Sequence, residues 1–418
     1  MKGALYNLNS GDIYSIAETL KKVLRLTEKG TDLDQLPSNS IIREALNNLS
    51  KKRLGFYSDS NKPPEKIKIH SPKPHLRMMW LALNSNCNLQ CEHCYATSSP
   101  GPFDGTLDIN VLFRSMEEAK KLFDLECIQL IGGEPLLLGK TKVTRILNEA
   151  KRLNIPMIEI FTNGHLIDDF YVDYFMKNDI RLAISIYSSE AQEHDAVTNV
   201  VGSWLKTMSA IRKVTEVGIK VRFGIVATTM NQRTVSSTAA WLKEEFGVFK
   251  GKKFDVVRSC GRGNNSNIIP WELFRSQHMK LKPDFSPVTV SRLERTMFNN
   301  ICWGEQICVM PNGDITPCEM EFENIEGNIT HNSLAEILLG EGGDFSQKLN
   351  KDKIDICKDC EYRYACWECR AMAHQLDIKK FSKPLTCTYD PYTGEWKNPP
   401  DNLKLLFPKF NKDRKDKK

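Results

Sequence analysis

The chain has 418 residues, 41% apolar and 26% charged, which is enough for two or three domains with sizeable cores and excludes bulk disorder. No signal-peptide-like start and no apolar run of about 18 residues occurs, so a cytoplasmic protein without a membrane span is expected. Of the formal charge of +6, the segment Lys409 to Lys418, with six basic and two acidic residues, supplies +4, and the near-neutral remainder gives no reason to expect nucleic-acid binding.

Residues 1–75 read as a small separate unit. Ala4 to Leu8 and Ile13 to Ile16 flank Asn9-Ser10-Gly11-Asp12, a hairpin signal, and apolar positions at helical spacing follow in Ala17 to Leu26 and Ile41 to Leu54. Asn61-Lys62-Pro63-Pro64 and Ser71-Pro72-Lys73-Pro74 then read as a linker.

Over 76–289 short apolar strands alternate with amphipathic helices, the pattern of a parallel α/β barrel or sheet. Strands are predicted at Met79 to Leu83, Cys127 to Ile131, Met157 to Phe161, Leu182 to Tyr187, Val221 to Val226 and Phe254 to Val257. Helices are predicted at Ile109 to Phe123, Lys142 to Leu153, Ile167 to Lys177, Ser203 to Val217 and Thr234 to Phe246. Six strand–helix units fall short of a full eight-fold barrel. From 290 to 400 apolar periodicity fades and cysteines become dense, as in a region folded around metal. Residues 401–418 read as a basic tail, whose final segment Lys409 to Lys418 is expected to be solvated and frayed.

The thirteen cysteines carry the chemistry, because thiols in a reducing compartment serve more often as ligands than as disulfides. Directly after the first barrel strand stands Cys87-x3-Cys91-x2-Cys94, in a loop at the strand's C-terminal end, where parallel barrels place their sites. A cubane cluster takes four cysteines, so three leave one iron open, and an open coordination site can take a substrate. A zinc knuckle with His93 as fourth ligand is the alternative, awkward because His93 and Cys94 are adjacent.

This arrangement resembles the radical S-adenosylmethionine (radical SAM) superfamily, whose hallmark is C-x3-C-x2-C after the first strand of a partial (β/α)6 barrel. The resemblance implies that Cys87, Cys91 and Cys94 hold a [4Fe–4S] cluster whose fourth iron is chelated by S-adenosylmethionine. His93 replaces the usual aromatic residue before the last cysteine. Gly132-Gly133-Glu134-Pro135, about forty residues on, resembles the family's GGEP segment, which contacts the cationic amine of S-adenosylmethionine. Asn163, in Thr162-Asn163-Gly164, closes the third strand; Ser185 matches a ribose contact and Val226 an adenine contact. Thr198 stands where many relatives have the arginine that grips the cofactor's carboxylate.

Further on, Cys302, Cys308 and Cys318 precede Cys357-x2-Cys360-x5-Cys366-x2-Cys369 and Cys387, eight cysteines in 86 residues. The spacing resembles the SPASM extension of peptide and protein maturases. Carried over, it implies two auxiliary [4Fe–4S] clusters, one on Cys302, Cys308, Cys318 and Cys369, the other on Cys357, Cys360, Cys366 and Cys387. Two structural zinc ribbons are the alternative. Cys127 and Cys260 fit neither set. In sulfatase maturases an aspartate follows the third cysteine of this field as base; Glu319 stands there, and otherwise reads as one solvated acid among Glu319, Glu321 and Glu323.

The family's chemistry is one-electron cleavage of S-adenosylmethionine to a 5′-deoxyadenosyl radical that abstracts hydrogen, at cluster potentials reaching roughly −700 mV. Auxiliary clusters offer an electron sink, so a thioether or C–C crosslink in a ribosomally made precursor peptide is the expected product. The N-terminal unit resembles a winged-helix, PqqD-like recognition element that would add the leader as an edge strand. A flavodoxin or ferredoxin would supply electrons. Two other readings stay open: a sulfatase-maturating enzyme oxidising Cys or Ser to formylglycine, and a zinc-stabilised, non-catalytic binding scaffold.

Overall fold

The computed structural model describes residues 3–29, 31, 40–55, 57, 68–102, 107–247, 254–340, 349–377 and 381–407. Residues 408–418 of the basic tail and the Asn61 to Pro64 linker lie outside the described residues, while 401–407 are packed rather than solvated, with Leu403 and Phe407 buried.

The N-terminal unit opens with β1 (Gly3–Tyr6) and β2 (Ile13–Ile16), an antiparallel pair with Gly3 opposite Ile16, followed by α1 (Glu18–Thr27) and α2 (Ser40–Lys51). The hairpin docks on the C-terminal half of the chain. Tyr6 Oη donates to the Glu361 carbonyl at 2.6 Å, and Val288 N donates to the Gly11 carbonyl at 2.9 Å.

The barrel follows in chain order: β3 (Met78–Ala82), α3 (Ile109–Phe123), β4 (Cys127–Ile131), α4 (Lys140–Arg152), β5 (Met157–Thr162), α5 (Asp169–Lys177) and β6 (Arg181–Ser185). Then come α6 (Ala191–Thr198), α7 (Ser203–Glu216), β7 (Val221–Gly224), β8 (Val226–Ala227), α8 (Val235–Phe246) and β9 (Asp255–Val256). Local sequence explains the bounds. Asp108 caps α3 by accepting from Asn110 N at 2.8 Å, and Asp124 ends it in the left-handed region at φ 45°. Between them Leu112, Met116, Ala119 and Phe123 recur at helical spacing and are buried against the sheet. Every residue of β4 is buried, as suits a central parallel strand with helices on its outer side.

Strands β3 to β7 pair in parallel in sequence order, and β8 pairs β9 in parallel, so six strand positions form an open arc. The single strand predicted over Val221 to Val226 is broken at Ile225. Gly224 explains the break: a Cβ there would stand 2.7 Å from the Phe161 ring, so the strand crosses a large side chain and turns to its new partner. The barrel interior is cross-braced by a polar ladder. Trp80 Nε1 donates to Gln129 Oε1 at 2.8 Å, Gln129 donates to Glu159, and Arg222 Nη2 pairs with Glu159 Oε2 at 2.8 Å.

The cysteine-rich region contributes to this sheet, which its faded periodicity does not reveal. After α9 (Trp271–His278) and α10 (Val290–Phe298), β10 (Gln306–Val309) runs parallel to β3 on its free edge, and β11 (Asp314–Thr316) and β12 (Gly327–Asn328) continue the sheet antiparallel. Four fully buried residues in β10 are too few to show a period. The remainder holds α11 (Leu334–Leu339), α12 (Arg370–Leu376) and the pair β13 (Tyr389–Asp390) and β14 (Glu395–Trp396). Among the described residues no helix is long and apolar enough to cross a membrane.

Candidate active site

The loop after β3 is held by the loop after β4. Gly133 N donates to the Asn84 carbonyl at 3.0 Å, Glu134 N to the Asn86 carbonyl at 2.8 Å, and Asn84 Nδ2 to the Glu134 carbonyl at 2.9 Å. Gly132, at φ 142°, and Gly133 are required by this stacking: a Cβ on either would fall within 2.6 Å and 1.9 Å of Asn84 Oδ1 and the Asn86 carbonyl, respectively. On the far side Arg262 clasps the same loop, Nε donating to the Cys91 carbonyl at 2.8 Å and Nη2 to the Ser98 carbonyl at 2.6 Å. The end of α6 supports it from below, where the Val197 and Thr198 carbonyls accept from Glu92 N and Gln90 N.

Cys87, Cys91 and Cys94 thereby come together at one cavity of about 170 Å³. Its walls include Gly132, Gly133, Asn163, Ser185 and Val226, five of the six cofactor-binding residues expected from the sequence. Asn163 Nδ2 sits 3.8 Å from Cys87 Sγ and donates to Asn88 Oδ1 at 2.7 Å. Tyr187 shares this wall with Ser185 and Cys91. Burial pushes the Cys87 and Cys91 thiols up to about 12, with mutual repulsion among the three adding to it. Buried thiols of this kind ionise on meeting a cation, releasing protons as metal binds. His93 is buried edge-on to Tyr187 with ring centroids 4.7 Å apart, and burial lowers it to about 4, so a neutral flat ring fills the aromatic position.

Glu134 stands apart from the cavity. Its carboxylate is 1% exposed and accepts from Leu136 N at 3.1 Å, Thr162 Oγ1 at 2.8 Å and Asn163 N at 2.9 Å. Burial raises it to about 7 despite those donors. The side chain ties the ends of β4 and β5 together, while the adjoining glycines face the site. Thr198 is likewise buried, with its hydroxyl donating to the Asp195 carbonyl at 3.1 Å.

Arg258 is the wall residue that motif reading misses. It pairs with Asp255, Nη2 to Oδ2 at 2.6 Å; Nη1 lies 3.3 Å from Met320 Sδ, and Nε is buried with no partner among the described residues. Both Asp255 and Met320 share the cavity wall. No motif marks Arg258; its place directly after the sixth strand position is the signal that could have found it.

Cys302, Cys318 and Cys369 form one mutually interacting group, with Cys302 and Cys369 interacting most strongly of the three. Cys308, on β10, points toward the Ala82 backbone and Thr316, somewhat apart from those three. Cys357, Cys360, Cys366 and Cys387 form a second interacting group. The all-thiol donor chemistry and the spacing of groups that feel one another suit iron–sulfur clusters. Glu319 is not a solvated acid: burial raises its carboxyl, and Cys318 Sγ donates to Oε2 at 3.2 Å. Glu321 is buried on His374 at 3.0 Å, and of the three acids Glu323 alone is exposed. Cys127 is core at the start of β4, and Cys260 is buried, its Sγ 3.3 Å from the Met320 carbonyl.

The radical SAM superfamily model matches residues 82–242, and that of an iron–sulfur cluster-binding domain, SPASM, matches residues 302–361. Residues 82–242 thus form a radical SAM domain, and residues 302–361 a SPASM domain. The chain is an enzyme of the SPASM-bearing kind, with a [4Fe–4S] cluster that binds S-adenosylmethionine and auxiliary clusters besides. This radical SAM enzyme is 23% identical over 360 residues to the AdoMet-dependent heme synthase of Nitratidesulfovibrio vulgaris, covering 77% of this chain and 95% of that protein. It is 25% identical over 332 residues to the antilisterial bacteriocin subtilosin biosynthesis protein AlbA of Bacillus subtilis, covering 73% and 69%. In fold it is similar to Streptococcus suis SuiB bound to precursor peptide SuiA, with TM-score 0.56 at 16% identity over 91% and 95% of the two chains.

Proposed function

We propose that this radical SAM enzyme is a peptide maturase that crosslinks a ribosomally made precursor peptide. The observation that carries the reading is the shared wall: the cavity of Cys87, Cys91 and Cys94 is bounded by Met320, two residues past Cys318 of the auxiliary field. A substrate in that cavity lies between the two cysteine fields. Similarity to AlbA, and likeness in fold to SuiB with its precursor peptide, support a peptide as that substrate.

Bound here, S-adenosylmethionine and the clusters would supply a 5′-deoxyadenosyl radical for hydrogen abstraction and an outlet for the electron that net oxidation releases. The chain's residues do the rest. Gly132, Gly133 and Asn163 would present main-chain and amide groups to the methionyl end, with Ser185 and Val226 beside the nucleoside. Glu134 positions that wall from behind. Glu319, next to Cys318 and within the field of Arg258, would take the proton that crosslinking releases. The first set of auxiliary ligands would be Cys302, Cys308, Cys318 and Cys369, the second Cys357, Cys360, Cys366 and Cys387. Residues 1–75 would serve as the winged-helix-like leader-recognition unit, with a flavodoxin or ferredoxin as electron donor.

Anaerobically reconstituted enzyme, mixed with S-adenosylmethionine, reductant and the peptide encoded beside it, should lower the peptide's mass by a pair of hydrogen atoms. An unchanged peptide mass despite 5′-deoxyadenosine release counts against a peptide substrate. Similarity to a heme synthase over 95% of that protein favours a second reading, oxidation of a tetrapyrrole, which turnover of an iron porphyrin in the same assay would establish.

A further inference from the structure

Lys280 belongs to none of the motifs above. Its main chain is pinned around Cys387: Lys280 N donates to the Thr386 carbonyl at 2.8 Å, and Thr388 N donates to the Lys280 carbonyl at 3.2 Å, making a parallel bridge between Lys280 and Cys387. Its ammonium donates to Cys366 Sγ at 3.0 Å and also to the Trp367 carbonyl. Among the described residues no carboxylate lies within ion-pair distance of it. One lysine thus joins two cysteines of the second group through its backbone and its charge.

A cation held for packing would be matched by an acid or left in water. This one contacts a sulfur and a main-chain carbonyl directly, and reaches the buried Glu368 carboxylate only through its field. A cluster gains a negative charge when reduced, so an N–H donor carrying positive charge stabilises the reduced form more than the oxidised form and raises the potential. Cys357, Cys360, Cys366 and Cys387 are all partly exposed, whereas in the first group only Cys302 is, and Cys308, Cys318 and Cys369 are buried. The second group is therefore the outer one, where electrons would leave the molecule.

We propose that Lys280 tunes the outer auxiliary cluster, raising its potential through the contact with Cys366 so that electrons pass outward from the buried group. The proposal rests on the ligand assignment given above for that cluster. It does not depend on which substrate is oxidised.

Wild-type enzyme labelled with 15N-lysine and reduced should show a nitrogen hyperfine coupling on one auxiliary cluster by pulsed electron paramagnetic resonance. Absence of the coupling overturns the proposal without recourse to any variant. In a redox titration followed by the same signal, Lys280→Gln should move one midpoint to lower potential, while Lys280→Arg, which keeps the charge, should leave it near the wild-type value. An unchanged midpoint in Lys280→Gln overturns the role of Lys280 alone. Iron analysis of Cys366→Ala separates the underlying assignment: loss of about a third of the iron supports it, and full retention overturns it together with the proposal.

Discussion

The carbonyl oxygen of Asn86 lies 1.9 Å from where a Cβ on Gly133 would stand, so the cysteine loop and the Gly-Gly turn are packed main chain on main chain. Gly133→Ala must push the Cys87 loop away, at about 1–3 kcal/mol for overpacking. Because the displaced segment carries Cys87, cluster affinity should fall about 10- to 100-fold. Iron content and 5′-deoxyadenosine release would drop while circular dichroism stays native. Full iron loading in the alanine variant would contradict this.

Glu134 predicts a pH dependence. Its carboxyl is raised by burial from 4.5 to about 7, so between those values the folded chain binds a proton that the unfolded chain releases. The stabilising contribution is complete below about pH 4.5 and is lost as pH rises through about 7. At about 1.36 kcal/mol per pH unit the change is at most about 3 kcal/mol. Denaturant titrations at pH 5 and pH 8 should show wild-type protein losing more stability over that interval than Glu134→Gln, which has no proton to lose. Equal losses would show that the carboxyl ionises normally.

Arg258 predicts uncoupling. Its guanidinium is fixed by Asp255 at 2.6 Å and forms part of the cavity wall between the two cysteine fields. Arg258→Gln removes a charge that a substrate oxygen can meet but leaves Cys87, Cys91 and Cys94 untouched. Substrate misplacement by an ångström costs about 100-fold, so product should fall by about that factor while 5′-deoxyadenosine is still released. Proportional loss of both would place Arg258 in cofactor binding instead.

The parts of the fold written in periodic patterns were legible before any coordinates. Helix α3 and strand β4 begin and end where the apolar spacing, the Asp108 cap and the flanking polar residues put them. The gathering of Cys87, Cys91 and Cys94 with Gly132, Gly133, Asn163, Ser185 and Val226 at one cavity follows from motifs that each sit at a strand end. What stayed hidden depends on contacts between distant segments. Strand β10 has only four residues and no alternation, so its place beside β3 is decided by pairing alone. Glu134 looked like a ligand contact because sequence cannot show that Leu136, Thr162 and Asn163 use up its oxygens. Arg258 and Lys280 lie outside any motif, and only folding brings them to Met320 and Cys366.

Lys351 and Glu368 form a buried ion pair at 2.8 Å, with side chains 6% and 4% exposed, and Arg370 Nη1 stands 3.3 Å from the other carboxylate oxygen. Glu368 occupies the short gap between Cys366 and Cys369, which belong to different groups, so the pair holds the peptide that sends one thiol each way. Removing one partner of a buried pair costs about 3–5 kcal/mol, because the remaining charge has lost both water and counter-ion. Lys351→Met should fall toward the lower end of that range, since Arg370 still faces the carboxylate. Thermal unfolding should show the loss together with reduced auxiliary iron, and the double variant Lys351→Met, Glu368→Gln should recover part of the stability. If the double variant is less stable than Lys351→Met, then Glu368 is held chiefly by Arg370, and the pair does not set the Cys366–Cys369 turn.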